Sequence, residues 1–283
     1  MKVTALVPLA IAGLVAAAVS GTISCGQTQF NQNNAAYGGI SPDSKFVTLN
    51  GIRVHYLEWG RGKSYIILLH GMNGDARTWR DLAPFLASDY HILAPDRRGS
   101  GESEKPNEGY DYPTLVNDVA LFSEHLKLES TIVIGHSFGA QVAMMLAAKK
   151  PESVRALVLI DGGFWPKRIT PGSTAPSSEI EKMSRDYDPE TVYPKIRVPV
   201  LMVVARGAGP GAEVIAQLKE KGIDFFEEVS KAEQGVKDLA NQKLRRGQMV
   251  VIENTSHNVQ ADQPKKLAEA IKQFLSDLES TRK

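Results

Sequence analysis

The segment with the clearest chemical meaning is Gly135-His136-Ser137-Phe138-Gly139, a G-x-S-x-G pattern. It follows an apolar run, Thr131 to Ile134, and opens a helical pattern from Phe138 to Lys149. In that context the serine sits on a sharp strand-to-helix turn that pushes its hydroxyl out at the end of a sheet. The flanking glycines have a steric reason, because strand and helix must pass close to one another there. A serine hydroxyl is a weak nucleophile at its free pKa and needs a base. His257, in Asn254-Thr255-Ser256-His257-Asn258, lies between the last expected strand and the final helix, which carries it to the same sheet edge. An attacked acyl group would also need donors for its developing oxyanion. His70-Gly71-Met72 follows the apolar run Tyr65 to Leu69, so the backbone N–H groups of Met72 and Phe138 are the candidates. His55, His91, His125 and His136 read as packing or surface residues.

These residues must be positioned by alternating strands and helices. Phe46 to Asn50 and Ile52 to Glu58 flank Asn50-Gly51, a strong hairpin signal. Tyr65 to Leu69, Tyr90 to Ala94, Thr131 to Ile134, Val154 to Ile160, Val200 to Ala205 and Gln248 to Ile252 are the further expected strands. Helices are expected over Thr78 to Ala87, Pro113 to Leu128 and Phe138 to Lys149. A last one spans Pro264 to Leu278, where Leu267, Ala270, Ile271, Phe274 and Leu275 form one apolar stripe. Continuous apolar strands separated by helices imply a mostly parallel sheet covered on both faces. Two stretches break the alternation. Gly162 to Arg197 is rich in Pro, Ser and Gly and reads as a small lid; Gly207 to Gly247 is mainly charged helix with a solvated face.

With Asp96-Arg97-Arg98-Gly99-Ser100-Gly101-Glu102-Ser103, these motifs resemble the α/β-hydrolase fold family, in its serine-nucleophile, esterase- and lipase-like branch. The resemblance covers about Phe46 to Leu278. It implies an α/β fold with a mostly parallel eight-stranded sheet, helices on both faces and a small lid insertion at about 162–197. It also implies the chain order Ser, acid, His, and His257 is the one histidine after Ser137. Asp96 belongs to a turn that has a structural role in relatives. Most relatives carry the triad acid after the strand that is here Val200 to Ala205. This chain has Arg206-Gly207-Ala208-Gly209-Pro210 there. Some relatives carry it one strand earlier, where this chain has Asp161-Gly162-Gly163. Asp161 is the leading assignment, with Glu213, Asp224 and other carboxylates left open.

Epoxide hydrolases and dehalogenases of this fold use an aspartate nucleophile, and Ser137 argues against both. A Ser137–His257–Asp161 triad would cleave carboxylic esters through an acyl-enzyme, and this mechanism requires no metal or organic cofactor. Phe164 and Trp165, directly after the Asp161 turn, are candidates for an apolar substrate pocket. A small-molecule ester is the expected partner. Three other readings stay open: a ligand-binding or sensor protein with little turnover, a C–C or amide hydrolase, and a cofactor-free peroxidase.

The 283 residues suit one large domain, with 42% hydrophobic and 23% charged residues. A balance of 33 basic to 32 acidic residues gives a net charge of +1, which provides no global field for nucleic acid. The single cysteine, Cys25, excludes an internal disulfide. Residues 1–24, with Lys2 ahead of an apolar run from Ala5 to Val19, read as a signal peptide. Thr22-Ile23-Ser24-Cys25-Gly26 resembles a bacterial lipoprotein cleavage box, with Thr22 where such boxes prefer Leu. Residues 25–44 read as a flexible tether and 45–283 as the hydrolase domain. The expected locations are a lipidated, membrane-anchored exported protein or a secreted or periplasmic one. An uncleaved N-terminal anchor is the third reading. Membrane contact is expected only through such an anchor. If Cys25 is lipidated, Cys25→Ser should move the protein from the membrane to the soluble fraction on cell fractionation. Retention in the membrane would instead indicate an uncleaved anchor.

Overall fold

The computed structural model describes residues 40–164, 187–207, 212–220, 222, 224–244 and 246–280. The expected signal peptide, most of the tether with Cys25, Trp165 and most of the expected lid lie outside the described residues.

Eight strands form one sheet in the order β1-β2-β4-β3-β5-β6-β7-β8. They are β1 (Asp43–Leu49), β2 (Ile52–Trp59), β3 (Ser64–Leu69), β4 (Tyr90–Pro95), β5 (Thr131–His136), β6 (Val154–Ile160), β7 (Val200–Arg206) and β8 (Gly247–Glu253). β2 runs antiparallel to β1 and to β4, and all other neighbours are parallel. The hairpin turn has positive φ at both central residues, 49° at Asn50 and 78° at Gly51, which Asn-Gly tolerates best. β1 begins at Asp43, inside the segment expected as tether, because its residues from Asp43 onward pair with β2 from Glu58 down.

Among the described residues the α-helices are α1 (Ala83–Leu86), α2 (Tyr112–His125), α3 (Phe138–Lys149), α4 (Ala212–Glu220), α5 (Phe225–Lys243), α6 (Val259–Asp262) and α7 (Pro264–Ser280). The helix expected over Thr78 to Ala87 is broken into a 3-10 turn, Ala76–Trp79, and the short α1. Pro84 is the cause: it lacks an N–H and its ring clashes with the carbonyl a turn earlier, so it fits only in the first turn of α1.

Two apolar cores cover the two faces of the sheet. One joins Ile67, Val133, Leu157 and Met202 to α2, α3 and α5; the other joins Ile66, Ile134, Val158 and Val203 to α1 and α7. Successive residues of β3, β5, β6 and β7 thus face opposite cores, which is why these strands are apolar without alternation. The α7 stripe carries Leu267, Ile271, Phe274 and Leu275, each at most 1% exposed. Ile271→Ala should cost about 2–5 kcal/mol of unfolding free energy, measured by urea denaturation. A cost well under about 1 kcal/mol would show that α7 does not close this core.

Candidate active site

The carboxyl ends of β3, β5, β6 and β8 deliver the expected site residues to one edge of the sheet. Register fixes their level: Leu69 pairs with Gly135, and His136 with Ile160. Ser137 follows immediately with φ 53° and ψ −116°, a conformation that costs a non-glycine residue about 1–3 kcal/mol and persists only where the surroundings impose it. Those surroundings are backbone. A Cβ on Gly135 would stand 2.6 Å from Ala140 N, and one on Gly139 would stand 2.1 Å from the Leu69 carbonyl oxygen. The glycines of the motif are therefore needed on contact grounds. Gly162 is equally constrained, since its Cβ would lie 2.5 Å from Ser137 Cα.

His257 Nδ1 lies 2.7 Å from Asp161 Oδ2. A carboxylate only accepts, so the Nδ1 proton donates and Nε2 of a neutral ring is left as the basic nitrogen. The histidine side chain is 44% exposed and the carboxylate 12%, so the base faces open space while its acid is sheltered. Asp161 holds φ 44°, and its N–H donates to the Val203 carbonyl at 2.8 Å. The His257 loop is tied down around its histidine. Asp262 Oδ2 accepts from Ser256 N at 2.6 Å, and Asn258 N donates to Ser256 Oγ at 3.1 Å.

At the end of β7, Arg206 donates to Glu233 Oε1 at 2.7 Å and to Glu253 Oε1 at 2.8 Å. It therefore ties α5 and β8 to the strand end rather than serving the histidine. Asp224 is occupied as a helix cap, accepting from Glu227 N at 3.0 Å. Glu213 lies on α4, and its side chain is outside the described residues.

The expected oxyanion loop is oriented through its carbonyls. His70 Nδ1 donates to the Gly71 carbonyl at 2.8 Å, and His70 Nε2 accepts from Arg97 N at 3.0 Å. The Gly71 carbonyl belongs to the same peptide group as the Met72 N–H, so this bond sets the plane in which that donor lies. Arg97 Nη2 adds a bond to the Met72 carbonyl at 2.7 Å, and its guanidinium lies 4.9 Å from the Phe138 ring centroid. Burial lowers the Arg97 pKa to about 10. Gly71 itself approaches the elbow: its Cβ would stand 3.4 Å from Ser137 Cβ.

Several participants were not singled out from the sequence. His136, read as packing, donates from Nε2 to the His257 carbonyl at 2.8 Å, and the two rings lie 4.6 Å apart. Burial, with the neighbouring His257 second, drives its pKa down to about 3. Arg97 and Arg206 also gave no signal beyond their place in motifs. Phe164, expected on a substrate pocket, is instead fully buried in the core, where its carbonyl accepts from Tyr193 Oη at 2.6 Å.

A family model described as alpha/beta hydrolase fold matches residues 65–193. The chain has the α/β-hydrolase fold. The soluble epoxide hydrolase of Corynebacterium sp. (strain C12) is 39% identical over 113 residues, covering 40% of this chain and 39% of that protein. Epoxide hydrolase A of Mycobacterium tuberculosis (strain ATCC 25618 / H37Rv) is 37% identical over 124 residues, covering 41% and 38%. The match thus spans about two fifths of the length of these curated relatives. A solved structure of a membrane phospholipase A, described as a bacterial virulence factor, superposes with a TM-score of 0.66 at 23% identity. It covers 84% of this chain and 87% of its own.

Burial keeps His70 and His136 neutral, with pKa values lowered to about 4 and about 3. The unfolded chain protonates both near pH 6.5, so between about pH 4 and 6.5 it binds more protons than the folded one. Stability must then rise with pH, by up to roughly 1.4 kcal/mol per pH unit for each histidine. Urea unfolding from pH 7 to pH 5 should show the loss on acidification. A pH-independent midpoint would mean that one or both rings are reached by solvent.

Proposed function

We propose that this protein is an exported serine hydrolase that cleaves carboxylic esters of small molecules. Ser137 is the nucleophile, His257 the general base and acid, and Asp161 the residue that orients the histidine. The observation that carries this reading is the 2.7 Å bond from His257 Nδ1 to Asp161 Oδ2 at the same sheet edge as the strained Ser137. It fixes the tautomer that can take a proton from a serine. In the proposed cycle Ser137 Oγ attacks the acyl carbon as its proton passes to His257 Nε2. The Met72 and Phe138 amides receive the oxyanion, the alcohol leaves with that proton, and a water activated by His257 then cleaves the acyl-serine. Export rests on the reading of residues 1–24 as a leader.

The curated relatives named epoxide hydrolases favour a second reading, ring-opening of epoxides. Chemistry separates the two. A carboxylate that opens an epoxide forms an ester, which water can cleave. A serine would form an ether, which the same histidine-activated water cannot cleave. Serine at position 137 therefore supports acyl substrates over epoxides. A binding protein with little turnover would not need the oriented base that Asp161 supplies.

A p-nitrophenyl ester series from acetyl to palmitoyl, with styrene oxide alongside, tests the proposal. Multiple turnovers on esters and none on the epoxide are expected. Ser137→Ala and His257→Ala should each cut kcat by several powers of ten, and together by no more than either alone. Asp161→Asn should cut it by roughly 10⁴. Full activity in Ser137→Ala would sink the assignment.

A further inference from the structure

A second Ser, His and Asp meet on the opposite flank of the sheet, and the reaction proposed above does not use them. Ser44 Oγ lies 2.9 Å from His55 Nε2, and His55 Nδ1 lies 2.8 Å from Asp96 Oδ2. Each residue comes from one of the adjacent strands β1 and β2 or from the end of β4. Phe46 pairs with His55 and Ser44 with Leu57, so Ser44 and His55 share a face as diagonal neighbours, within side-chain reach. Asp96 follows β4, and its N–H donates to the His55 carbonyl at 2.9 Å.

Proton bookkeeping gives this cluster a direction. Asp96 is 2% exposed and also accepts from Ala76 N at 2.6 Å and Glu102 N at 2.8 Å. A carboxylate held by donors on both oxygens acts as an acceptor only, so His55 Nδ1 carries the proton. With one proton on the ring, the other nitrogen accepts and the Ser44 hydroxyl donates to it. This is the arrangement of a hydroxyl activated by an oriented base. His55 is 3% exposed, so its ring is held in place, whereas Ser44 is open to solvent. Beside it on the same face, Phe46 is 39% exposed, lies 5.0 Å from the His55 ring and carries the Arg53 guanidinium 3.4 Å above its centroid. An exposed aromatic ring on the same face suits a donor with an apolar group.

We infer that Ser44 is a second nucleophile of this chain, activated by His55 and Asp96, and that it accepts phosphoryl or acyl groups from small activated esters. With diethyl p-nitrophenyl phosphate, an Oγ–P bond forms and the P–O bond to the aryl group breaks. p-Nitrophenolate leaves with the electron pair, and the hydroxyl proton is taken up by His55 Nε2, whose imidazolium is paired with Asp96. The product persists, because Ser44 itself covers the buried nitrogen that would have to activate a water. Ser44 is thus a covalent acceptor rather than a turnover site.

The test is intact-mass and peptide mass spectrometry of the full chain treated with diethyl p-nitrophenyl phosphate. Ser137→Ala should take up one diethylphosphoryl group, on Ser44, and Ser137→Ala/Ser44→Ala none. Ser44 should react at least ~10²-fold faster than any serine other than Ser137, the lower end of what a positioned base contributes. Wild-type protein and the surface variant Ser44→Ala give the same comparison without altering the elbow: labels on Ser137 and Ser44 in the first, on Ser137 in the second. Label on Ser44 without label on Ser137 would support this inference while removing the Ser137 assignment. An unmodified Ser44 in both the wild type and Ser137→Ala, or labelling no faster than at other surface serines, would overturn it and leave the cluster as a clamp on β1.

Discussion

The close backbone approach at the carboxyl edge of β5 is the constraint on which the rest of this site depends. Ser137 adopts φ 53° and ψ −116° because the strand before it and the helix after it run within van der Waals contact of one another and of β3. Gly135, Gly139 and Gly162 leave the space that this packing consumes. The strain is small beside the apolar burial that imposes it, since β3, β5 and β6 are buried on both faces. Its effect is to hold the hydroxyl outside the sheet, at the level where β6 and β8 deliver Asp161 and His257.

Around that edge, polar groups are fixed by bonds that leave little choice of proton position. His70 must donate from Nδ1 to a carbonyl and accept at Nε2 from the Arg97 N–H. His136 must donate from Nε2 to the His257 carbonyl. Burial keeps both rings neutral, with pKa values lowered to about 4 and about 3, so neither adds a positive charge beside the base. His257, much more exposed, is the ring among these three with a carboxylate on one nitrogen. Neutral, buried neighbours and a paired, accessible base give three histidines at one edge different roles by environment alone.

The end of β7 is held by charge. Arg206 pairs with Glu233 of α5 and Glu253 of β8. That fastens the long charged helix to the sheet and leaves the histidine to the acid one strand earlier. Asp161 reaches His257 because the β6 end lies next to β7, and the loop after β8 folds back over both, with Thr255 N donating to the Arg206 carbonyl at 3.3 Å. On the other flank the Asp96 turn, expected as structural, is that and more: it also accepts from His55.

Much of this protein was legible in its sequence because local chemistry leaves local marks. Apolar runs located the inner strands β3, β5, β6 and β7, since a strand buried on both faces carries little charge, and Asn50-Gly51 located the hairpin of β1 and β2. The glycines around Ser137 marked the elbow for the same steric reason that the structure displays. The break in the first helix at Pro84 and the start of β1 at Asp43 were missed, being matters of competing local and pairing preferences. Above all, one chain position says nothing about neighbours across space. Asp161 and His257 are 96 residues apart. The contact of His136 with His257, the burial of Phe164, the use of Arg206 as a tie and the meeting of Ser44, His55 and Asp96 all depend on strand order and register. The sequence by itself determined which strands and turns would form and which residue types stood at their ends. The tertiary structure decided which of those residues touch, because strand order, not distance along the chain, sets which strand ends are neighbours.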